Sequence, residues 1–322
     1  MAKTTSTACI KCGKKGVYML PNGALCKDHF LEYFERKVEK TIKKFNLISN
    51  NDIVCIATSG GKDSLAVLYT TMLHCKKHDI KHFALAIDEG IHGYRDHTLD
   101  DLRSFAEKYE VPFHVVSFKE VLGDTLDNIA MRAMKEFNKK PCTVCGIFRR
   151  TLLNRYAKVL GATKLVTGHN LDDESQALLM NLLQGNMRHN AALGPVTGLS
   201  SNTKFVPRVK PLYFVSEKET RLYAFLKKFK IDFSECPNVR FSFRAITRDK
   251  LNQMENVRMG SKNGIVNAFL EILPDLKEKY KDHKEFRYCN DCGEPCSKDL
   301  CNACTMIKEL KLEWKYPEVK LQ

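Results

Sequence analysis

From residue 52 to residue 183 the chain alternates short, unbroken apolar runs with longer stretches in which apolar residues return every three or four positions. Asp52 precedes Ile53-Val-Cys-Ile-Ala57, the length of a buried strand. A glycine turn separates it from residues 62–77, where Leu65, Leu68, Tyr69, Met72 and Leu73 share one helical face. The cycle recurs three times. Residues 82–88 predict a strand followed by a helix over 94–109; residues 113–118 predict a strand followed by a helix beginning near Cys142; residues 164–169 predict a strand followed by a helix over 172–183. Strands separated by helices of this length imply right-handed crossovers and a parallel sheet covered on both faces, an α/β fold. Further on, Gly194, Pro195, Gly198 and Pro207 mark residues 185–210 as a long loop. Residues 211–230 read as another strand–helix unit and 239–279 as helices. No apolar run approaches the ~20 residues of a membrane helix. The start, MAKTTSTACIKCG, has no apolar core of a signal peptide. A cytoplasmic chain without membrane contact is expected.

Charge adds a partner class. The 322 residues carry 52 Lys and Arg against 38 Asp and Glu, a net +14 that favours a polyanionic partner such as nucleic acid. Arg240, Arg244 and Arg248 recur every four residues; Arg36, Lys37, Lys40, Lys43 and Lys44 crowd one segment; Lys204, Arg208 and Lys210 sit on the expected loop. Each group is a candidate for phosphate contacts, although any single stripe also suits a solvated face.

Thirteen cysteines in a chain expected inside the cell point to metal or redox chemistry rather than disulfides. Cys9-x-x-Cys12 is followed by thirteen residues and Cys26-x-x-His29; Cys289-x-x-Cys292 is followed by eight residues and Cys301-x-x-Cys304. Each doublet presents two ligands from one turn, and two doublets close a tetrahedral zinc shell. Gly13 and Gly16, and later Gly293 and Pro295, suit the turns. Cys296 lies off the doublet register and reads as a bystander. The implied organisation is a zinc finger over 1–32, a basic helical linker over 33–50, a catalytic domain over 51–283 and a zinc ribbon over 284–322.

The first strand–turn–helix carries Ala57-Thr58-Ser59-Gly60-Gly61-Lys62-Asp63-Ser64 at the carboxyl end of a sheet strand, where open α/β folds bind ligands. Adjacent glycines let backbone amides approach a phosphate, the helix N-terminus adds its dipole, and Ser59, Ser64 and Lys62 add hydroxyls and a cation. The Walker spacing is absent. A second constellation, Pro141-Cys142-Thr-Val-Cys145-Gly146 running to Arg149 and Arg150, places Cys142, Cys145 and Arg149 along one helical face. The helix N-terminus and the arginines are expected to favour thiolate over thiol. No second doublet completes a zinc shell nearby, and Cys236 is the natural third ligand, the alternative being a buried small residue. Three cysteines on a [4Fe-4S] cluster leave one iron open. A third constellation, Thr167-Gly168-His169-Asn170-Leu-Asp172-Asp173-Glu174, offers helix caps and also groups that could hold magnesium or a reacting atom. Asp173 is favoured for function.

Residues 59–64 match the SGGxDS signature of the PP-loop ATP pyrophosphatases. With the two zinc modules, PCxxCG, TGHNxDDE and the later Cys236 in this order, nearly the whole chain resembles the tRNA uridine 2-thiolation enzymes of the TtuA/NcsA group. The two-thiocytidine synthetases share the PP-loop and PCxxC but lack the paired zinc modules. The resemblance implies that Ala57, Thr58, Ser59, Gly60, Gly61, Lys62, Asp63, Ser64, Ile87, Arg149 and Gly168 serve ATP. It implies that Cys142, Cys145 and Cys236 hold a [4Fe-4S] cluster, and that Asp173, Lys62 and Arg149 assist catalysis beside magnesium. Arg149 stands where relatives often carry lysine, which restricts it to an electrostatic role. The implied reaction adenylates the uridine C2 oxygen and replaces AMP by sulfur, at the wobble uridine or the T-loop uridine, with the wobble position preferred. Sulfide or a thiocarboxylated ubiquitin-like carrier would supply the sulfur, and a homodimer is implied. Two other classes compete. A non-catalytic zinc RNA-binding protein sits badly with an intact SGGKDS, and an amidating ligase for a small molecule leaves PCxxC, Cys236 and the basic surface unexplained.

Overall fold

The structure is a computed structural model that describes residues 8–199, 205–231, 236–239, 243–281, 287–296 and 298–315; Lys204 and Arg240, two of the basic candidates, lie outside them. At its centre runs the apolar strand β3 (Ile53–Thr58), which follows the β1–β2 hairpin (Tyr18–Leu20, Gly23–Leu25) and helix α1 (Lys27–Lys44). After it come α2 (Lys62–Lys77), β4 (Lys81–Asp88), α3 (Arg95–Tyr109), β5 (Phe113–Ser117), α4 (Phe118–Leu122), α5 (Leu126–Phe137), α6 (Pro141–Val159), β6 (Lys164–Val166) and α7 (Leu171–Leu183). The chain continues through α8 (Met187–Ala191), β7 (Val196–Thr197), β8 (Arg208–Val209), α9 (Glu217–Leu226), α10 (Phe243–Val257), α11 (Ser261–Tyr280), the hairpin β9–β10 (Arg287–Tyr288, Pro295–Cys296) and α12 (Asn302–Glu309).

The six-stranded sheet runs β5-β4-β3-β6-β8-β7, parallel except for β7 at one edge. Successive side chains of a strand point to opposite faces, and here both faces are dry. Val54, Ile56, Ala84 and Ala86 join one core layer, while Cys55, Phe83, Leu85 and Ile87 join the other. The first layer includes α1, α2 and α3 with Tyr223 of α9; the second includes α5, α6 and α12. That double coverage explains why these strands read as continuous apolar runs rather than alternations. The basic segment after the first doublets falls largely in α1. Phe30, Phe34, Val38 and Ile42 recur every four residues along it and are buried in the first layer, where Phe34 stacks on Tyr223 at 4.0 Å.

Three sequence expectations need correction. Residues 118–137 form α4 and α5, with Leu126, Ile129, Ala130 and Ala133 as the buried face of α5. The expected loop over 185–210 contains α8, β7 and β8, and the strand expected within 211–230 lies earlier, at β8. Two-residue strands have no periodicity to read; cross-strand pairing alone defines them. No helix among the described residues is long and apolar enough to cross a membrane.

Candidate active site

The carboxyl ends of β3, β4 and β6 open into a cavity of about 520 Å³, within the size range of small-ligand sites. Ser59, in the turn between β3 and α2, and Asp63 and Ser64 in the first turn of α2 line it. Gly60 adopts φ +85°, and a Cβ there would meet Thr98 Cβ at 2.9 Å and the Thr98 carbonyl oxygen at 3.0 Å, so only glycine fits. Ser64 Oγ donates to the Gly61 carbonyl at 2.9 Å, which ties the first turn of α2 to the loop. Gly168, after β6, approaches the same turn closely: a Cβ would sit 3.0 Å from the Asp63 carbonyl oxygen.

Asp63 is held from two directions, by Asn170 Nδ2 at 2.9 Å and by Thr220 Oγ1 at 2.6 Å, both donating to its Oδ1. Lys62 turns to Asp63 Oδ2 at 3.1 Å and Glu217 Oε1 at 2.9 Å. Of the expected nucleotide-binding residues, Ala57, Thr58, Ser59, Asp63, Ser64, Ile87, Arg149 and Gly168 line the cavity, as does Asp173; Gly60, Gly61 and Lys62 do not form its wall.

Two further charged wall residues were not anticipated. Arg95, at the start of α3, is buried; its Nε lies 2.9 Å from Glu89, and its guanidinium donates to the carbonyl oxygens of Ser59, at 2.7 Å, and Ile87. One side chain thereby joins the ends of β3 and β4. Glu89 follows β4 directly, and its place at the ligand-binding sheet edge was a readable signal. Arg95 had none, since an arginine at a helix start normally faces water. Arg208 and Arg244, expected among surface contacts for nucleic acid, instead join Arg149 and Arg150 on the wall. Burial and the neighbouring Arg150 push Arg208 down to about 10, still charged at neutral pH.

The β6–α7 junction resolves its carboxylates. Asn170 caps α7, and a reciprocal capping box links the Asn170 and Asp173 side chains to each other's backbone amides. Asp173 also accepts from Arg244 at 3.0 Å. Enclosure in the site raises its carboxyl to about 6, against the lowering influence of Arg244. Asp172 is directed elsewhere: it is buried, pairs with Lys262 and accepts the Glu217 amide at 2.8 Å. Enclosure, followed by Lys210 and Arg244, pushes His169 down and keeps it neutral.

The α6 cysteines stand beside this cavity. Pro141 is the first residue of α6, so Cys142 and Cys145 fall in its opening turns and Arg149 one turn further along. Cys142 Sγ donates to the Asn238 carbonyl at 3.3 Å, which brings the segment containing Cys236 onto the helix start. A charge on Cys236 is felt by both Cys142 and Cys145, and Arg149 is in turn influenced by Cys145 and Cys236. The expectation of favoured thiolates is corrected. Burial pushes Cys145 up to about 12 despite Arg149, and Cys142 also rises, because desolvation outweighs the helix N-terminus and the arginines. Cys142 and Cys145, held as thiols, and Cys236 beside them make a soft donor set that suits an iron–sulfur cluster, whose binding would release the protons of those two thiols.

The two four-residue cysteine clusters pass a metric test for a tetrahedral ion. Metal–ligand bonds of about 2.1–2.3 Å at tetrahedral angles set neighbouring donors about 3.4–3.8 Å apart. His29 Nδ1 lies 3.4 Å from both Cys9 and Cys26 Sγ, Cys12 lies 3.6 Å from Cys26, and Cys292 lies 3.6 Å from Cys301. In each cluster the four donor atoms, Cys9/Cys12/Cys26/His29 and Cys289/Cys292/Cys301/Cys304, lie within 4.8 Å of one another. Cys296 Sγ donates instead to the Lys298 carbonyl.

Residues 31–255 match the PP-loop domain family. The cytoplasmic tRNA 2-thiolation protein 1 of Dictyostelium discoideum is 38% identical over 290 residues, 89% of this chain and 78% of that protein. The tRNA-5-methyluridine(54) 2-sulfurtransferase of Pyrococcus horikoshii is 35% identical over 288 residues, 88% of this chain and 87% of that protein. Among solved structures, the U34-tRNA thiolase NcsA of Methanococcus maripaludis with its [4Fe-4S] cluster superposes with a TM-score of 0.80 at 34% identity, covering 95% of this chain and 97% of that one.

Proposed function

The chain belongs to the PP-loop family of tRNA 2-thiolation proteins, and on that premise we propose that it is an ATP-dependent tRNA 2-thiouridine synthetase acting in the cytoplasm on the wobble uridine. The observation that carries this reading is the position of Arg149: it lines the cavity and stands one turn of α6 after Cys145, on the helix whose first turn receives the Asn238 carbonyl beside Cys236, so the phosphate loop and the cysteine trio serve one reaction centre.

The backbone of Ser59, Gly60 and Gly61 and the N-terminus of α2 receive the ATP phosphates. Ala57, Ile87 and Gly168 border the nucleoside. As the uridine C2 oxygen attacks the α-phosphate, Arg149, Arg150, Arg208 and Arg244 stabilise the charge that accumulates on the departing pyrophosphate. Asp63 would supply a carboxylate for magnesium. Lys62 acts through the orientation of Asp63, to which it is paired. Asp173, raised to about 6, is ionised at neutral pH and suited to accept the uridine N3 proton. Cys142, Cys145 and Cys236 would hold a [4Fe-4S] cluster, which when bound would hold the donor's sulfur for its replacement of AMP at C2. Cys9, Cys12, Cys26 and His29, and Cys289, Cys292, Cys301 and Cys304, would each hold a structural zinc ion that closes a terminal module. The proposal includes a homodimer and a sulfur donor that is either sulfide or a thiocarboxylated carrier.

The test is anaerobic incubation of the reconstituted chain with ATP, sulfide and unmodified tRNA, followed by nuclease mapping with mass spectrometry. Thiolation at the wobble uridine with stoichiometric AMP release is expected. Sulfur at position 54 would favour the activity named for the Pyrococcus relative, and no tRNA-dependent AMP would overturn the reading.

A further inference from the structure

A third group of metal-capable side chains meets where α1 crosses α2, apart from the cavity and from both four-ligand clusters. Glu39 of α1, His74 of α2 and His78, the residue just past the end of α2, each offer one ligand atom, all within 4.8 Å of one another. The histidines are four residues apart on one helix face, with ring centroids 4.7 Å apart. Glu39 Oε2 lies 2.7 Å from His74 Nδ1, and Glu39 Oε1 lies 3.8 Å from His78 Nε2. The pocket is partly dry: the side chains of His74, Glu39 and His78 are 7%, 24% and 31% exposed. Glu39 Oε1 and His78 Nε2 are both shut off from water; His78 Nε2 makes no hydrogen bond, and among the described residues the one cation near Glu39 Oε1 is Lys43. Buried polar atoms are normally satisfied, so two that face each other call for an explanation. Lys43 Nζ approaches Glu39 Oε1 at 3.1 Å, but that lysine is 64% exposed and can leave without giving up buried contacts.

We propose that Glu39, His74 and His78 form a third divalent-metal site, for an ion of the zinc class, that staples α1 to α2. Two imidazoles and one carboxylate suit zinc, nickel or copper, whereas magnesium and calcium prefer all-oxygen shells. The geometry also gives the staple a task. Glu39 lies ten positions after the zinc ligand His29, and His74 lies twelve after Lys62 at the phosphate loop. At ~1.5 Å per residue those are about 15 Å and about 18 Å of helix. An ion here touches neither end. It fixes the helix that carries the N-terminal module against the helix that carries the phosphate loop.

The test titrates cobalt(II) into the intact chain with its cysteine sites filled. Wild type is expected to take up one further cobalt per chain, with visible ligand-field bands and no added thiolate-to-cobalt charge transfer in the near ultraviolet. His78→Gln and Glu39→Gln should each abolish that uptake and leave the cysteine-bound metal unchanged. Lys43→Gln, on a residue that is mostly solvated, removes the competitor for Glu39 and should tighten cobalt binding several-fold. No further uptake by wild type, uptake that carries thiolate charge transfer, uptake that persists in His78→Gln, or unchanged affinity in Lys43→Gln would each overturn the site.

Discussion

Arg244 Nη1 donates to Asp173 Oδ1 at 3.0 Å, while Asp173 Oδ2 accepts the Asn170 amide at the start of α7. One carboxylate therefore closes a helix cap, anchors α10 to the cavity rim and remains on the cavity wall. Enclosure raises it and Arg244 opposes the rise, which leaves it near 6.

With Asp173 as the base, activity requires its ionised form. Thiolation by wild type should climb as pH rises through about 6 and level off above it. Asp173→Asn keeps an acceptor for the cap but cannot take a proton. It should lose about 10²-fold or more in kcat, the usual worth of a positioned base, and the climb near pH 6 should disappear. Rates measured from pH 5 to pH 8 on both proteins decide this; an unchanged profile would place Asp173 in the cap alone.

The cysteine trio and Asp63 should separate into two phenotypes. Cys142→Ala, Cys145→Ala and Cys236→Ala should each bleach the visible absorption and abolish thiolation while zinc stays at two per chain. Asp63→Ala should keep the iron and lose AMP release. Metal analysis beside an AMP assay reads both, and a cluster that survives Cys236→Ala would remove that residue from the ligand set.

Arg95 is a positioning residue: it joins Ser59, Ile87 and Glu89 in a buried network. Arg95→Ala leaves the buried Glu89 carboxylate with Arg149 alone, at 3.7 Å, and the expected loss in urea unfolding is at the lower end of about 3–5 kcal/mol. Arg95→Lys should not restore ATP binding, because a single ammonium cannot reproduce the forked donation to two carbonyls. Recovery of the ATP KM in Arg95→Lys would show that charge alone suffices.

The two loop glycines are not equivalent. Gly60→Ala imposes a left-handed backbone, costing about 1–2 kcal/mol, and adds a clash with Thr98. Gly61 has ordinary φ, and its Cβ would meet only Ser59 Oγ at 3.8 Å. Gly60→Ala should therefore weaken ATP binding by tenfold or more, and Gly61→Ala by clearly less; calorimetric titration with a non-hydrolysable ATP analogue orders them.

What the sequence determined by itself is what short-range geometry encodes. The Cys-x-x-Cys and Cys-x-x-His doublets, a Gly-Gly turn between a strand and a helix, and Cys142, Cys145 and Arg149 along one helix face are spacings within a few residues, and they hold wherever the segment folds. The buried strands were legible because double coverage makes them apolar throughout. Tertiary structure alone decided the rest. Glu89 with Arg95, Arg244 with Asp173, and Glu39 with His74 and His78 are each brought together across separate elements, and none leaves a periodic trace. β7 and β8 exist only through pairing. The thiols of Cys142 and Cys145 were misjudged for the same reason: the helix N-terminus can be read locally, but the desolvation that outweighs it depends on what the folded chain packs around those two side chains.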